Sequence, residues 1–143
     1  MNTRAREGAP TAGKRFRATV EYDGTEFAGF QSQRNARTVQ GELEAALSRL
    51  TGGSRQPVLG AGRTDAGVHA AGQVIAFTYP GSLSVEALTD ALNGTLPPDV
   101  AIRDLRRAPA GFNPRYAARY REYRYSIWNG ARSPLRERTT LWV

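Results

Sequence analysis

Cysteine is absent from this chain of 143 residues, and histidine, lysine and methionine occur once each. The missing cysteine excludes disulfides, thiolate zinc sites and cysteine nucleophiles together. The lone histidine, His69, rules out a multi-histidine metal centre, so no metal is expected. Long apolar runs are missing too: nothing approaches the roughly 20 consecutive apolar residues of a membrane helix. The amino terminus, Met1 to Gly13, is small and polar and lacks the apolar stretch of a secretory leader. The expectation is a cytoplasmic protein with no membrane association. Acidic residues are also in deficit, 13 against 20 basic, which leaves a net charge of +7.

Lys14 is the only lysine, so the positive charge is almost entirely arginine. A planar guanidinium grips phosphate with paired hydrogen bonds, and an anionic partner such as nucleic acid follows naturally. The distribution strengthens that inference. Arg115, Arg119, Arg121, Arg124, Arg132, Arg136 and Arg138 face only Glu122 and Glu137, with Tyr116, Tyr120, Tyr123, Tyr125 and Trp128 interleaved. Basic groups alternating with aromatic rings suit backbone gripping combined with base stacking. A solvated strand face over a core fits the same pattern.

Patterning predicts an α+β domain over residues 15–143, preceded by a disordered basic tail at 1–14 with few large apolar groups to order it. Arg15 to Tyr22 alternates as a strand, with Phe16, Ala18 and Val20 on one face and Arg17, Thr19 and Glu21 on the other. Thr38 caps a helix through about Leu50 that Gly52-Gly53 stops, and Ser84 caps a second ended by Asn93-Gly94 and Pro97-Pro98. Further strands are predicted near Pro57 to Leu59 and over Gly72 to Tyr79, Val100 to Arg107 and Ala118 to Trp128. Two helices against one face of a largely antiparallel sheet is the expected architecture.

Between the second and third strands lies Gly60-Ala61-Gly62-Arg63-Thr64-Asp65-Ala66-Gly67-Val68-His69-Ala70, a glycine-rich loop presenting a guanidinium and a carboxylate two residues apart. Arg63 can hold Asp65 ionised, which suits a nucleophile or base. A surface ion pair in a structural turn has the same spacing. A nucleotide-binding reading fails, because Gly60 and Gly62 are followed next by Gly67 and no Gly-Lys-Ser/Thr triplet exists. His69 and Gln73 read as groups that brace the loop, and Asp23 as one that closes the Asp-Gly turn.

The segment from Gly62 to Ala70 resembles the catalytic loop of the TruA family of tRNA pseudouridine synthases. The resemblance extends to Glu21-Tyr22-Asp23-Gly24-Thr25, Gly29-Phe30-Gln31-Ser32-Gln33, Thr38-Val39-Gln40 and Arg121-Glu122-Tyr123-Arg124-Tyr125, in family order. It implies a ferredoxin-like half-domain, RRM-like in shape, and an isomerase that converts uridine to pseudouridine at positions 38 to 40 of the tRNA anticodon stem-loop without a cofactor. By the same resemblance Asp65 is the catalytic nucleophile. Arg63 and Tyr123 bind the substrate nucleotide, Tyr123 by stacking on the uracil. Arg119, Arg121 and Arg124 are expected to contact RNA, and a homodimer is implied. Family members have two related halves, and this chain matches the first, so a truncated protein with a half-built cleft is expected. The contrasting reading is a non-catalytic RNA-binding module of ferredoxin-like shape.

Overall fold

A computed structural model describes residues 13–143. The expected tail lies outside the described residues over 1–12, and its last member, Lys14, already belongs to the first strand. That strand, β1 (Lys14–Tyr22), occupies the middle of a four-stranded sheet. It pairs antiparallel with β3 (Ala70–Tyr79) on one side and β4 (Val100–Arg107) on the other, while β2 (Leu59–Gly60) adds to the outer edge of β3. The helices α1 (Val39–Leu50) and α2 (Val85–Thr95) follow β1 and β3. Spatial order β2-β3-β1-β4 with these crossovers is the expected split βαβ arrangement.

Alternation along β1 buries Phe16, Ala18, Val20 and Tyr22 and turns Arg17 and Glu21 to the open face. The buried set meets Ile75, Phe77 and Tyr79 from β3, Val39, Leu43 and Leu47 from α1, and Leu88 and Leu92 from α2 in one core. Thr38 and Ser84 cap the helices, their hydroxyls accepting from the backbone N–H of Gly41 and Ala87 at 3.1 Å each. The second helix runs through Asn93-Gly94 rather than ending there. The Asn93 side chain is engaged elsewhere, donating to the Ile102 carbonyl at 3.0 Å and accepting from the Ile102 N–H at 2.8 Å, which ties α2 to β4.

The strand expected over Ala118 to Trp128 does not form. Only Ile127–Trp128 is extended and paired (β5), parallel to β6 (Leu141–Trp142), and a short helix, α3 (Pro114–Ala117), precedes it. Alternation alone does not make a strand, which exists through ladder hydrogen bonds. Residues 118–125 have no ladder partner among the described residues, and the rings of Tyr120, Tyr123 and Tyr125 stand exposed.

The segment between β1 and α1 is tied to the start of β4. Arg37 grips Asp99 with two hydrogen bonds of 2.8 and 2.9 Å and lies 4.1 Å above the Phe27 ring, while the Asp23 N–H donates to the Asp99 carbonyl at 3.0 Å. The guanidinium holds the Asp99 carboxyl below its ordinary value of 3.8. A depressed carboxyl stabilises the fold above that value, and the contribution is lost as the pH falls through the still lower folded value. Both side chains are partly solvated, so Asp99→Asn is expected to cost about 0.5–1 kcal/mol at neutral pH. In urea melts, the difference from the parent chain should begin to shrink as the pH falls below 3.8 and vanish only below the lower folded value.

Candidate active site

The loop from Gly60 to His69 is held by its backbone. Ala61 N–H donates to the Val74 carbonyl at 2.9 Å. The Gln73 side chain clamps Gly62 from both sides, its Oε1 accepting from the Gly62 N–H at 3.1 Å and its Nε2 donating to the Gly62 carbonyl at 2.9 Å. On the far side of Arg63, the Thr64 carbonyl accepts from Phe30 N–H at 3.0 Å, and the Thr64 hydroxyl lies 2.7 Å from that of Tyr22. Burial pushes the Tyr22 hydroxyl above the ordinary phenol range, against the opposing pull of its Thr64 bond, so it remains a neutral hydroxyl. Val68 N–H closes a turn onto the Asp65 carbonyl at 3.1 Å, and Gly67 N–H donates to the Phe27 carbonyl at 3.2 Å.

Two glycines make this approach possible. A Cβ on Gly24 would stand 2.0 Å from the Val68 carbonyl oxygen, and one on Gly29 would stand 2.9 Å from that of Thr64. Gly29 also has φ +96°, a left-handed conformation that an L side chain resists. Asp23 closes the adjoining turn, accepting from the Thr25 hydroxyl at 2.6 Å and its N–H at 3.0 Å; these bonds hold its carboxyl below the usual range. His69 Nδ1 accepts from Gly24 N–H at 2.9 Å. An accepting Nδ1 carries no proton, so its 3.2 Å approach to Asp23 is not an ion pair, and the Nε2 proton faces the Arg138 carbonyl.

Within this frame the Arg63 and Asp65 side chains are exposed, and neither has a hydrogen-bond or ion-pair partner among the described residues. The expected Arg63–Asp65 pair is therefore not made: an exposed pair gains little, and the backbone between the two is pinned at Thr64. Arg63 lies at the junction of two cavities, one of 470 Å³ and one of 850 Å³. Tyr123 and Arg121 line both cavities, and Arg124 lines the larger; Asp65 and Arg119 line neither. Arg121 donates from Nε and Nη2 to the Ala61 carbonyl at 2.9 and 2.5 Å, and from Nη2 to the Arg115 carbonyl at 3.1 Å. It fastens the Tyr123 segment to the loop. Tyr123 is 60% exposed, and its hydroxyl is 3.7 Å from where a Gly62 Cβ would stand. Sequence reasoning missed Tyr22, Gly24 and Phe30 as supports of the loop.

The model for tRNA pseudouridine synthase matches residues 18–117, which contain this loop and its supports. The chain belongs to that family. It is 48% identical over 118 residues to tRNA pseudouridine synthase A of Geobacillus kaustophilus, covering 82% of this chain and 46% of that protein. The enzyme of the same name from Geobacter sulfurreducens is 50% identical over 119 residues, covering 81% and 48%. That from Myxococcus xanthus is 48% identical over 126 residues, covering 87% and 47%. The chain thus spans about half the length of these relatives.

The synthase-family loop should be sensitive to its clamps. Gln73→Ala removes both bonds to Gly62 and is expected to cost about 1–2 kcal/mol in urea unfolding. Gln73→Glu should be at least as harmful despite its shape, since a carboxylate cannot donate to the Gly62 carbonyl. A stability equal to the parent in both variants would contradict the clamp.

Proposed function

We propose that this chain is the catalytic half, residues 15–143, of a tRNA pseudouridine synthase acting on uridine in the anticodon stem-loop. The observation that carries the proposal is the fixed backbone on either side of Arg63, which leaves the Arg63 and Asp65 side chains without protein partners among the described residues, with Arg63 in the wall of a cavity that Tyr123 also lines and Asp65 two residues further along the loop. Pseudouridine formation breaks the bond from N1 of uracil to C1′ of ribose and forms one from C5 to C1′; C5 loses its proton and N1 gains one. Asp65 is the nucleophile, attacking either C1′ or the pyrimidine ring, and a carboxylate without a partner keeps its full nucleophilic capacity for either route. Arg63 binds the target nucleotide and helps displace it from its stack. Tyr123 stacks on the uracil, and its hydroxyl is close enough to the loop to take part in moving the C5 proton. Arg119, Arg121 and Arg124 are the RNA contacts of this reading; the bonds of Arg121 to the Ala61 and Arg115 carbonyls make it a support as well. Cytoplasmic placement and a homodimer complete the reading.

A second reading, an RNA-binding module without turnover, draws on the exposed rings of Tyr116, Tyr120 and Tyr125, at 80%, 82% and 90% accessible, among arginines. Exposed rings between guanidinium groups stack bases whether or not chemistry follows.

Rejoining through C5 expels the hydrogen there, so a tRNA transcript carrying 5-tritiated uridine should release tritium with the parent chain and none with Asp65→Asn. A folded chain that binds tRNA yet releases no tritium would reject turnover by this half and leave the binding module.

A further inference from the structure

The open face of the sheet carries an arrangement that neither the core nor the loop explains. Successive pairs along β1 and β4 set Thr19 opposite Arg103 and Arg17 opposite Arg106, two residues apart on β1 but three on β4. The extra residue is accommodated at Asp104, which has φ +53°. Without this bulge Leu105 would stand opposite Arg17. With it Leu105 is buried and two arginines face each other across neighbouring strands.

The other charges on this face are matched. Arg103 meets Glu21 at 3.0 Å and the Ala71 carbonyl at 2.6 Å, and Arg15 donates to the Phe112 carbonyl at 2.7 and 3.1 Å and to Thr78 at 3.2 Å. Arg17 has only the Phe112 ring, 6.0 Å away, and Arg106 has no ion-pair or hydrogen-bond partner among the described residues. Like charges directly opposite destabilise a sheet. Arg17 also lines the 850 Å³ cavity that Arg63 and Tyr123 share.

We propose that Arg17 and Arg106 form a phosphate clamp that takes the backbone of the RNA strand whose nucleotide occupies that cavity. This rests on the reading of RNA as substrate. Two unmatched guanidinium groups on adjacent strands offer two planar forks to one anionic backbone, and a bound phosphate turns their mutual repulsion into shared attraction. A protected sheet edge is the competing account for Arg106, since β4 is an outer strand.

The test is the salt dependence of tRNA-transcript binding to the chain, to Arg17→Gln, Arg106→Gln and the double variant, with Arg49→Gln on α1 as a control of equal charge loss. Each open-face variant should bind about threefold to tenfold more weakly, with the slope of log K against log salt reduced by about 1 per arginine. The control should keep the parent slope. Thermal melting without RNA should show the single variants at least as stable as the parent, because the repulsion is relieved. Binding by the open-face variants equal to that of the control would overturn the clamp while leaving Asp65-dependent tritium release untouched. So would unchanged binding by Arg106→Gln with new self-association in light scattering, the sign of an edge guard. A parent chain that binds no tRNA would overturn the clamp and the RNA reading together.

Discussion

The contact on which the rest depends is the approach of one turn to another without side chains between them. Gly24 and Gly29 bring the segment after β1 against the carbonyls of Val68 and Thr64, closer than any Cβ allows. Once the two backbones touch, Phe30 N–H reaches Thr64, Gly67 N–H reaches Phe27, and His69 receives Gly24 N–H. The sheet supplies the other half of the frame. The regular β1–β3 register sets Val20 opposite Gln73, a shift after it sets Tyr22 opposite Ala70, and both Gln73 and Tyr22 bond to the loop.

Magnitudes favour this design over the ion pair that spacing alone suggests. A hydrogen bond contributes about 1 kcal/mol net, and the loop has several to neutral backbone groups. An exposed salt bridge contributes about 0–1 kcal/mol and constrains two long side chains. Fixing the loop through its peptide groups leaves the Arg63 and Asp65 side chains uncommitted among the described residues. Arg121 extends the principle to a second segment: its guanidinium fastens the loop's Ala61 carbonyl to the chain that carries Tyr123.

Much of this was legible in the residues. The two helix caps, the alternation of β1, and the bracing role of Gln73 follow from local chemistry, and local chemistry is visible in a sequence. The strand expected over Ala118 to Trp128 was illegible for a physical reason. Alternating residues satisfy the side-chain rule, but the ladder needs a neighbouring backbone, and sequence patterning says nothing of one. Gly24 read as part of an ordinary turn because its true constraint is Val68, 44 residues further along the chain. The opposition of Arg17 and Arg106 depends on a single bulge, and one residue of register decides whether Arg17 meets a leucine or an arginine.

Native-state hydrogen exchange tests the central claim, that the loop is held by its peptide groups while the Arg63 and Asp65 side chains are left free. The amides of Gly24, Phe30, Ala61, Gly62, Gly67 and Val68, all bonded, should be protected to a degree approaching that of β3. Those of Arg63 and Asp65, which have no acceptor among the described residues, should exchange far faster. Uniformly fast exchange across residues 60–69 would contradict the account, since it would mean that the loop is ordered only when something binds it.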